Sequence, residues 1–306
     1  MDWTIPDVIV LAPGGAKGFL ELGSLFFLEQ DDILKQVPML CGISVGAIIA
    51  MLYFTGYSIN QIIAEAALFN LFKGITIPTI AQIIQGGGLI SNESVKQTLI
   101  KLVSAKMGNV PSYLELFKRT GKVLITVSFN ATNETTSYLT PWTDPEMSIV
   151  EGTLCSMNIP ILYQQMLYKG KIMVDGALGN PYPVDFFDDG KTKILGIYIK
   201  TVDEINTDEE MKKMGFGTYI HKLIQSTITQ NRNHIMRHCS KMCRHIELCT
   251  MSTDTTGMSQ TTDDKVKMII DGYNITAKVY KDIQENCYKD PVFEVVQKYA
   301  NIRPKT

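Results

Sequence analysis

The sequence predicts a three-layer α/β/α fold on a mostly parallel central sheet. Two patterns carry that prediction: short apolar runs bounded by turn residues, and longer stretches of helical period that alternate with them. The third observation is continuity. No internal repeat, low-complexity stretch or Pro/Gly/Ser-rich linker divides the 306 residues. The chain therefore reads as one domain over 1–306, with its motifs within about 7–200 and a helical part over about 208–306. Hydrophobic residues make up 45% and charged residues 20%, enough apolar surface for a sizeable core. Lys plus Arg is 29 against 31 Asp plus Glu, a net charge of −2. That balance excludes a strongly basic nucleic-acid binder and an acidic disordered tail.

Asp7 to Ala12 lies between Pro6 and Pro13 and is apolar throughout after Asp7, as a strand covered on both faces must be. The glycines of 13–18 turn the chain, and Phe19 to Glu29 reads as a helix. Val37 to Cys41 is a second buried strand. Val45 to about Phe54 is a helix, stopped by Gly56. Ser58 stands where a cap belongs for a helix over Ile59 to Phe72. The 74–89 segment is uncharged, rich in Ile and broken by Gly86-Gly87-Gly88; it reads equally as a lid or membrane-contacting surface and as a buried loop. Asn92 to Lys106 places Val95, Leu99, Leu102 and Val103 on one helical face. Val123 to Asn130 and Thr135 to Leu139 form a strand pair, and Met147 to Met157 a helix. Lys171 to Val174 and Lys193 to Ile199 are strands. Helices over Met211 to Met242 and Asp264 to Glu285 flank a strand near Arg244 to Cys249. In the first of them the stripe Ile220, Leu223, Ile224, Thr227, Ile228 is expected in the core.

Met1-Asp2-Trp3-Thr4-Ile5-Pro6 carries an acid where a secretory signal carries a basic patch, and no apolar h-region follows. The uncharged stretch 36–64 is interrupted by Ser44, Thr55, Ser58, Asn60 and Gln61, so it does not read as a membrane span. Six cysteines without a signal read as reduced thiols, which places the expected protein inside the cell.

Gly42-Ile43-Ser44-Val45-Gly46 fits G-x-S-x-G between a predicted strand and a predicted helix. There the glycines leave room for a strained turn that lifts the serine hydroxyl out at the end of a sheet. A purely structural glycine turn is the weaker reading. The 13–18 turn also follows a strand and opens a helix, where unpaired N–H groups converge on an anionic atom. A phosphate cradle and an oxyanion hole compete for it. Neither G-x-G-x-x-G nor the Walker pattern is present, and a serine elbow about 30 residues downstream favours the oxyanion. Val174-Asp175-Gly176-Ala177 ends a predicted strand; alone, an Asp-Gly pair is more often an Asx-turn cap.

Together, the glycine-rich loop with its basic residue, the serine elbow and the later Asp-Gly-Ala resemble the patatin-like phospholipase family. Cys155-Ser156-Met157-Asn158-Ile159-Pro160 resembles the segment before that family's Asp strand, and Asn180 and Pro183 resemble the pattern after it. The similarity runs from about Asp7 to Ile199, while Ile270-Asp271-Gly272-Tyr273 is faintly similar to the family's C-terminal helix. The resemblance implies a phospholipase A-type lipid acyl hydrolase that cleaves fatty-acyl esters of membrane lipids through an acyl-enzyme, with no cofactor and no metal. Ser44 would be the nucleophile and Asp175 its base. Gly14 and Gly15 would lie in the oxyanion loop, and Lys17 would hold the family's basic position as a head-group contact or a loop-stabilising residue. One departure stands out: Pro13 replaces the loop's usual first glycine and has no N–H, so donors must come from Gly14, Gly15 or Ala16. The implied partner is a membrane phospholipid or other acyl lipid. The implied location is cytoplasmic and peripheral at membranes, with no nucleic acid bound.

Three rival readings remain. A Ser-Asp-His triad would draw on His221, His234, His238 or His245, all downstream of Asp175. A catalytically weak lipid-binding protein on the same fold would also carry these motifs. His234, His238, Cys239, Cys243, His245 and Cys249 form a metal-like group, but not at C-x2-C or H-E-x-x-H spacing, so buried thiols beside a basic helix face are the stronger reading.

Overall fold

Strand β1 (Val8–Leu11) is apolar at every position because it lies inside the sheet with helices over both faces. It pairs in parallel with β2 (Met39–Gly42) on one side and β7 (Ile194–Lys200) on the other. The computed structural model describes residues 5–68, 91–160, 162–200, 216–249 and 260–287. The eight-stranded sheet runs β5-β6-β3-β2-β1-β7-β8, with β4 paired to β3. Strands β3 (Val123–Asn130) and β8 (Cys243–Cys249) extend the parallel set. Strands β4 (Thr135–Leu139), β5 (Met166–Tyr168) and β6 (Lys171–Asp175) are antiparallel to their neighbours.

Period-two alternation sorts the strands' side chains into two cores. Ile9, Leu11, Leu195 and Ile197 join the larger cluster, while Val8, Val10, Ile194 and Tyr198 join the smaller. The larger core is covered by α1 (Gly18–Gln30), α3 (Val45–Phe54), α4 (Ile59–Leu68), α5 (Glu93–Met107), α7 (Ile149–Ser156) and α9 (Thr262–Cys287). The smaller core is covered by α8 (Phe216–His238) and the Tyr182–Phe187 stretch. The three expected layers are present. Helix α1 packs against α9 through Phe26 and Phe27 on Tyr273 and Tyr280, and backbone meets backbone at two glycines. A Cβ on Gly23 would strike the carbonyl of Ile269, and one on Gly272 the carbonyl of Leu20.

The strand pair β3–β4 and helix α3 have the bounds that the sequence predicts. Ser58 and Gln61 cap α4 reciprocally, with Gln61 N–H on Ser58 Oγ at 3.2 Å and Ser58 N–H on Gln61 Oε1 at 3.1 Å. Three elements lie outside the expectation: α2 (Ile33–Gln36), α6 (Tyr113–Thr120) and β5, which forms a hairpin with the expected strand β6. The hairpin closes through Lys169 and Gly170, both at positive φ (49° and 73°), the geometry of a tight two-residue turn.

The stripe expected in the core of α8 is largely not there. Leu223 is 47% exposed and Thr227 is exposed. The helix meets the smaller core through its second half, at Ile228, Ile235 and Met236. The 74–89 segment and the side chains of Ile220 and His221 lie outside the described residues. Among the described residues, no helix is long and apolar enough to cross a membrane.

Candidate active site

Two residues, Ile43 and Ser44, separate the end of β2 from the start of α3, so the chain reverses within a single turn. Ser44 absorbs the reversal at φ 56° and ψ −122°, a conformation that costs a non-glycine residue about 1–3 kcal/mol. Gly42 and Gly46 are required by close approach. A Cβ on Gly42 would lie 2.5 Å from Ala47 N, and one on Gly46 2.7 Å from Leu11 Cβ. The turn is closed by Gly46 N–H on Ile43 O at 2.9 Å and Ala47 N–H on Ser44 O at 3.0 Å. Ser156, at the end of α7, fixes it from the side. Its Oγ accepts the Ser44 N–H at 3.0 Å and donates to Val127 O at 2.6 Å.

Sheet register brings Asp175 to the same level. Gly42 is opposite Thr126 on β3, and Asp175, at the end of β6, is opposite Ser128 two residues on. The Ser44 hydroxyl is near enough to the Asp175 carboxylate to lower its pKa. Asp175 Oδ1 also accepts the Ala177 N–H at 2.9 Å, and its main-chain N–H is held by Asn158 O at 2.9 Å. Gly176 sits so close to β3 that a Cβ would strike Val127 O, which explains the small residue after the Asp. Ser44 is 6% and Asp175 5% exposed. Burial pushes the Asp175 carboxyl up to about 6, against the lowering effect of the Ala177 N–H and the Ser44 hydroxyl.

The 13–18 turn lies beside the elbow. A Cβ on Gly18 would be 2.8 Å from Val45 Cγ2, the side chain that follows Ser44. Gly15 takes φ 53° and opens a 3-10 turn over Gly15–Lys17. Lys17 N–H bonds Gly14 O at 3.0 Å, and Gly18 N–H bonds Gly15 O. Among the described residues, no partner within the protein is found for the N–H groups of Gly14, Gly15 and Ala16. Lys17 is 4% exposed, so it is not a surface lysine.

Gly15, Ala16 and Val45, the neighbour of Ser44, line a pocket among residues of the larger core; Ser44 and Asp175 do not themselves line it. Its walls are Ile48, Ile49, Leu52, Ile62, Leu99 and Leu102. Glu65, Gln260 and Lys265 are its polar residues, and the buried Gln260 Nε2 has no hydrogen-bond partner. The sequence reading missed this pocket, because its walls come from α1, α3, α4, α5 and α9 and share no local pattern.

The described histidines are engaged elsewhere. His245 Nδ1 lies 2.9 Å from the Tyr182 hydroxyl, and burial lowers its pKa. His238 Nδ1 lies 2.8 Å from His234 O. None of the three is among the groups that set the Asp175 pKa. The metal-like group of the sequence does not assemble as one cluster: His234 and His238 pair with each other at the surface, Cys249 is exposed, and Cys239 and Cys243 stay together.

The model of the patatin-like phospholipase family matches residues 9–188. "Probable lipid hydrolase 463L" of Invertebrate iridescent virus 6 is 28% identical over 180 residues, 58% of this chain and 61% of that protein. "Uncharacterized protein R571" of Acanthamoeba polyphaga mimivirus is 24% identical over 267 residues, 85% of this chain and 88% of the relative. Among solved structures, VipD from Legionella pneumophila superposes with a TM-score of 0.55 at 15% identity, covering 90% of this chain and 67% of VipD. The type III effector ExoU of Pseudomonas aeruginosa superposes with a TM-score of 0.53 at 12% identity, covering 91% of this chain and 53% of ExoU. The chain thus spans about half of ExoU and 61% of the iridescent-virus relative. With the match extending from β1 through the Asp175 turn, the chain belongs to the patatin-like phospholipase family.

Proposed function

We propose that this chain is a serine lipid acyl hydrolase of phospholipase A type, with Ser44 as nucleophile and Asp175 as base. The observation that carries the proposal is a serine at a strained strand–helix turn beside a buried carboxylate, Asp175, whose pKa is raised to about 6. A solvated Asp, near 3.9, is a weak base toward an alcohol; burial narrows that gap while leaving Asp175 mostly ionised at neutral pH. Ser44 Oγ attacks the ester carbonyl as its proton passes to Asp175. The carbonyl oxygen becomes the oxyanion, stabilised by N–H groups of Gly14, Gly15 or Ala16. Each such donor contributes about 3 kcal/mol. Collapse breaks the ester C–O bond, and Asp175 returns its proton to the leaving alcohol. A water then attacks the acyl-enzyme and gives a proton to Asp175; the acyl–Oγ bond breaks, Asp175 returns that proton to Ser44 Oγ, and the fatty acid leaves.

The apolar pocket suits an acyl chain, since its walls are mostly aliphatic and its lining includes Gly15, Ala16 and Val45 beside Ser44. The printed name of the iridescent-virus relative points the same way. Burial of Lys17 favours a role in holding the loop over direct head-group contact. Peripheral contact with a lipid surface belongs to the same reading. The test is turnover of a fatty-acyl ester by wild type, Ser44→Ala and Asp175→Asn. Loss in both variants, with the fold kept, supports the proposal. An active Asp175→Asn overturns the dyad, and an inactive wild type on every acyl ester overturns the hydrolase.

A further inference from the structure

We propose that Cys239, Cys243 and Asp188 form a binding site for one soft divalent cation of zinc type, at the turn that joins α8 to β8. One ligand atom from each of the three lies within 4.8 Å of the others. That spacing suits three corners of a tetrahedron whose fourth corner is water, with two thiolates and one carboxylate as ligands.

The chain is built to hold this arrangement. Helix α8 ends at His238 and β8 begins at Cys243, so the two cysteines flank a turn of Ser240, Lys241 and Met242. Cys243 N–H on Ser240 O at 3.2 Å and Met242 N–H on Ser240 Oγ at 3.1 Å close the turn. Asp188 comes from the loop before β7 and enters the turn. Its carboxylate accepts the Ser240 N–H at 2.6 Å, the Ser240 Oγ–H at 2.5 Å and the Gly190 N–H at 3.2 Å. Bonds of this kind orient a metal-binding carboxylate without occupying all of its lone pairs. The Cys239 thiol donates to Ile235 O at 3.3 Å, which holds that side chain at the end of α8. A cation would lie between the three ligand atoms, in place of the thiol protons. Binding exchanges two thiol protons for one dication and releases both to water; no electron is transferred.

Two further features favour a cation here. Asp185 adds negative charge near Cys239. Cys243 is buried while Cys239 and Asp188 are half-buried, so the site is shielded yet reachable. Cys41 and Cys155, by contrast, lie in the apolar cores, and Cys249 is exposed. The bound ion would staple the end of α8, the start of β8 and the 185–190 loop to one point. Its effect is on stability, and it does not depend on Ser44 chemistry.

The test uses the full chain, reduced and stripped with a chelator, and titrated with cadmium as a spectroscopic probe. Thiolate-to-cadmium absorbance is expected to rise to one equivalent, zinc is expected to displace it, and the unfolding temperature is expected to climb with ion concentration. Cys239→Ser, at a half-buried position, is expected to lose the band, and Asp188→Asn to weaken binding at least tenfold. Cys243→Ser is the second thiol variant, and should it not fold, Cys239→Ser decides alone. No band in the reduced wild type, or an undiminished band in Cys239→Ser, overturns the proposal.

Discussion

At the scale of single residues, the proposed pairing of Ser44 with Asp175 predicts that removing either group costs nearly all activity. Ser44→Ala and Asp175→Asn are each expected to lower kcat by at least a thousandfold. The double variant should be no worse than either single one, because the two work as a unit. The Asp175 pKa of about 6 also sets a pH dependence. The base works ionised, so kcat/KM should fall tenfold per pH unit below about 6 and level off above it, measured on an uncharged ester. Glu21 in α1 makes a different pH prediction. It is 0% exposed, neither carboxylate oxygen has a hydrogen-bond partner, and burial holds its pKa well above the usual carboxylate range. In the folded state it keeps a proton that the unfolded chain loses, so its contribution falls as pH rises above the unfolded value. Glu21→Gln should flatten that decline in chemical denaturation; an unchanged slope would mean that Glu21 finds a charge-stabilising partner. Ser44 was legible because G-x-S-x-G encodes its own backbone geometry. Asp175 was legible only through resemblance, since it meets Ser44 by pairing of β6 on β3, a contact between distant segments that no local pattern encodes.

At the scale of elements, the elbow and the pocket depend on different physics. Gly46 leaves no room for a methyl against Leu11, so Gly46→Ala should destabilise the fold by about 1–3 kcal/mol and lower activity by displacing Ser44. Thermal unfolding and turnover, measured together, check this. Leu102 lines the pocket from α5 and is only half-buried, so a larger side chain there should fill space with little cost to folding. Each methylene of a buried chain contributes about 0.8 kcal/mol, close to fourfold in kcat/KM. Leu102→Trp is therefore expected to reverse the preference for long acyl esters while sparing short ones. Equal losses at all lengths would place the chain elsewhere. The strands and most helices could be read ahead because their apolar period is strong. Helix α6 carried its own signal, a Ser112/Glu115 capping box and Gly121 at φ 69°, which a reading by apolar period alone passes over. The Leu223 stripe misled for the converse reason: helical period shows that a face is apolar, not that anything covers it.

Across the whole molecule, lipid contact is the expectation least tied to the described residues. The uncharged 74–89 segment is its sequence basis, and Ile77→Glu or Ile83→Glu should weaken vesicle sedimentation several-fold. Full binding by both variants would remove that segment from the interface. The contact between α1 and α9 has a different reach. Helix α1 begins where the loop beside Ser44 ends, and its backbone rests on Ile269 and Gly272 near the other end of the chain. On a ribosome, Ser44 and Asp175 both emerge well before that brace is made. A nascent chain halted short of α9 would carry Ser44 and Asp175 with α1 unsupported along the face that holds Gly23. The helix that follows the 13–18 turn would then gain its support only when α9 docks.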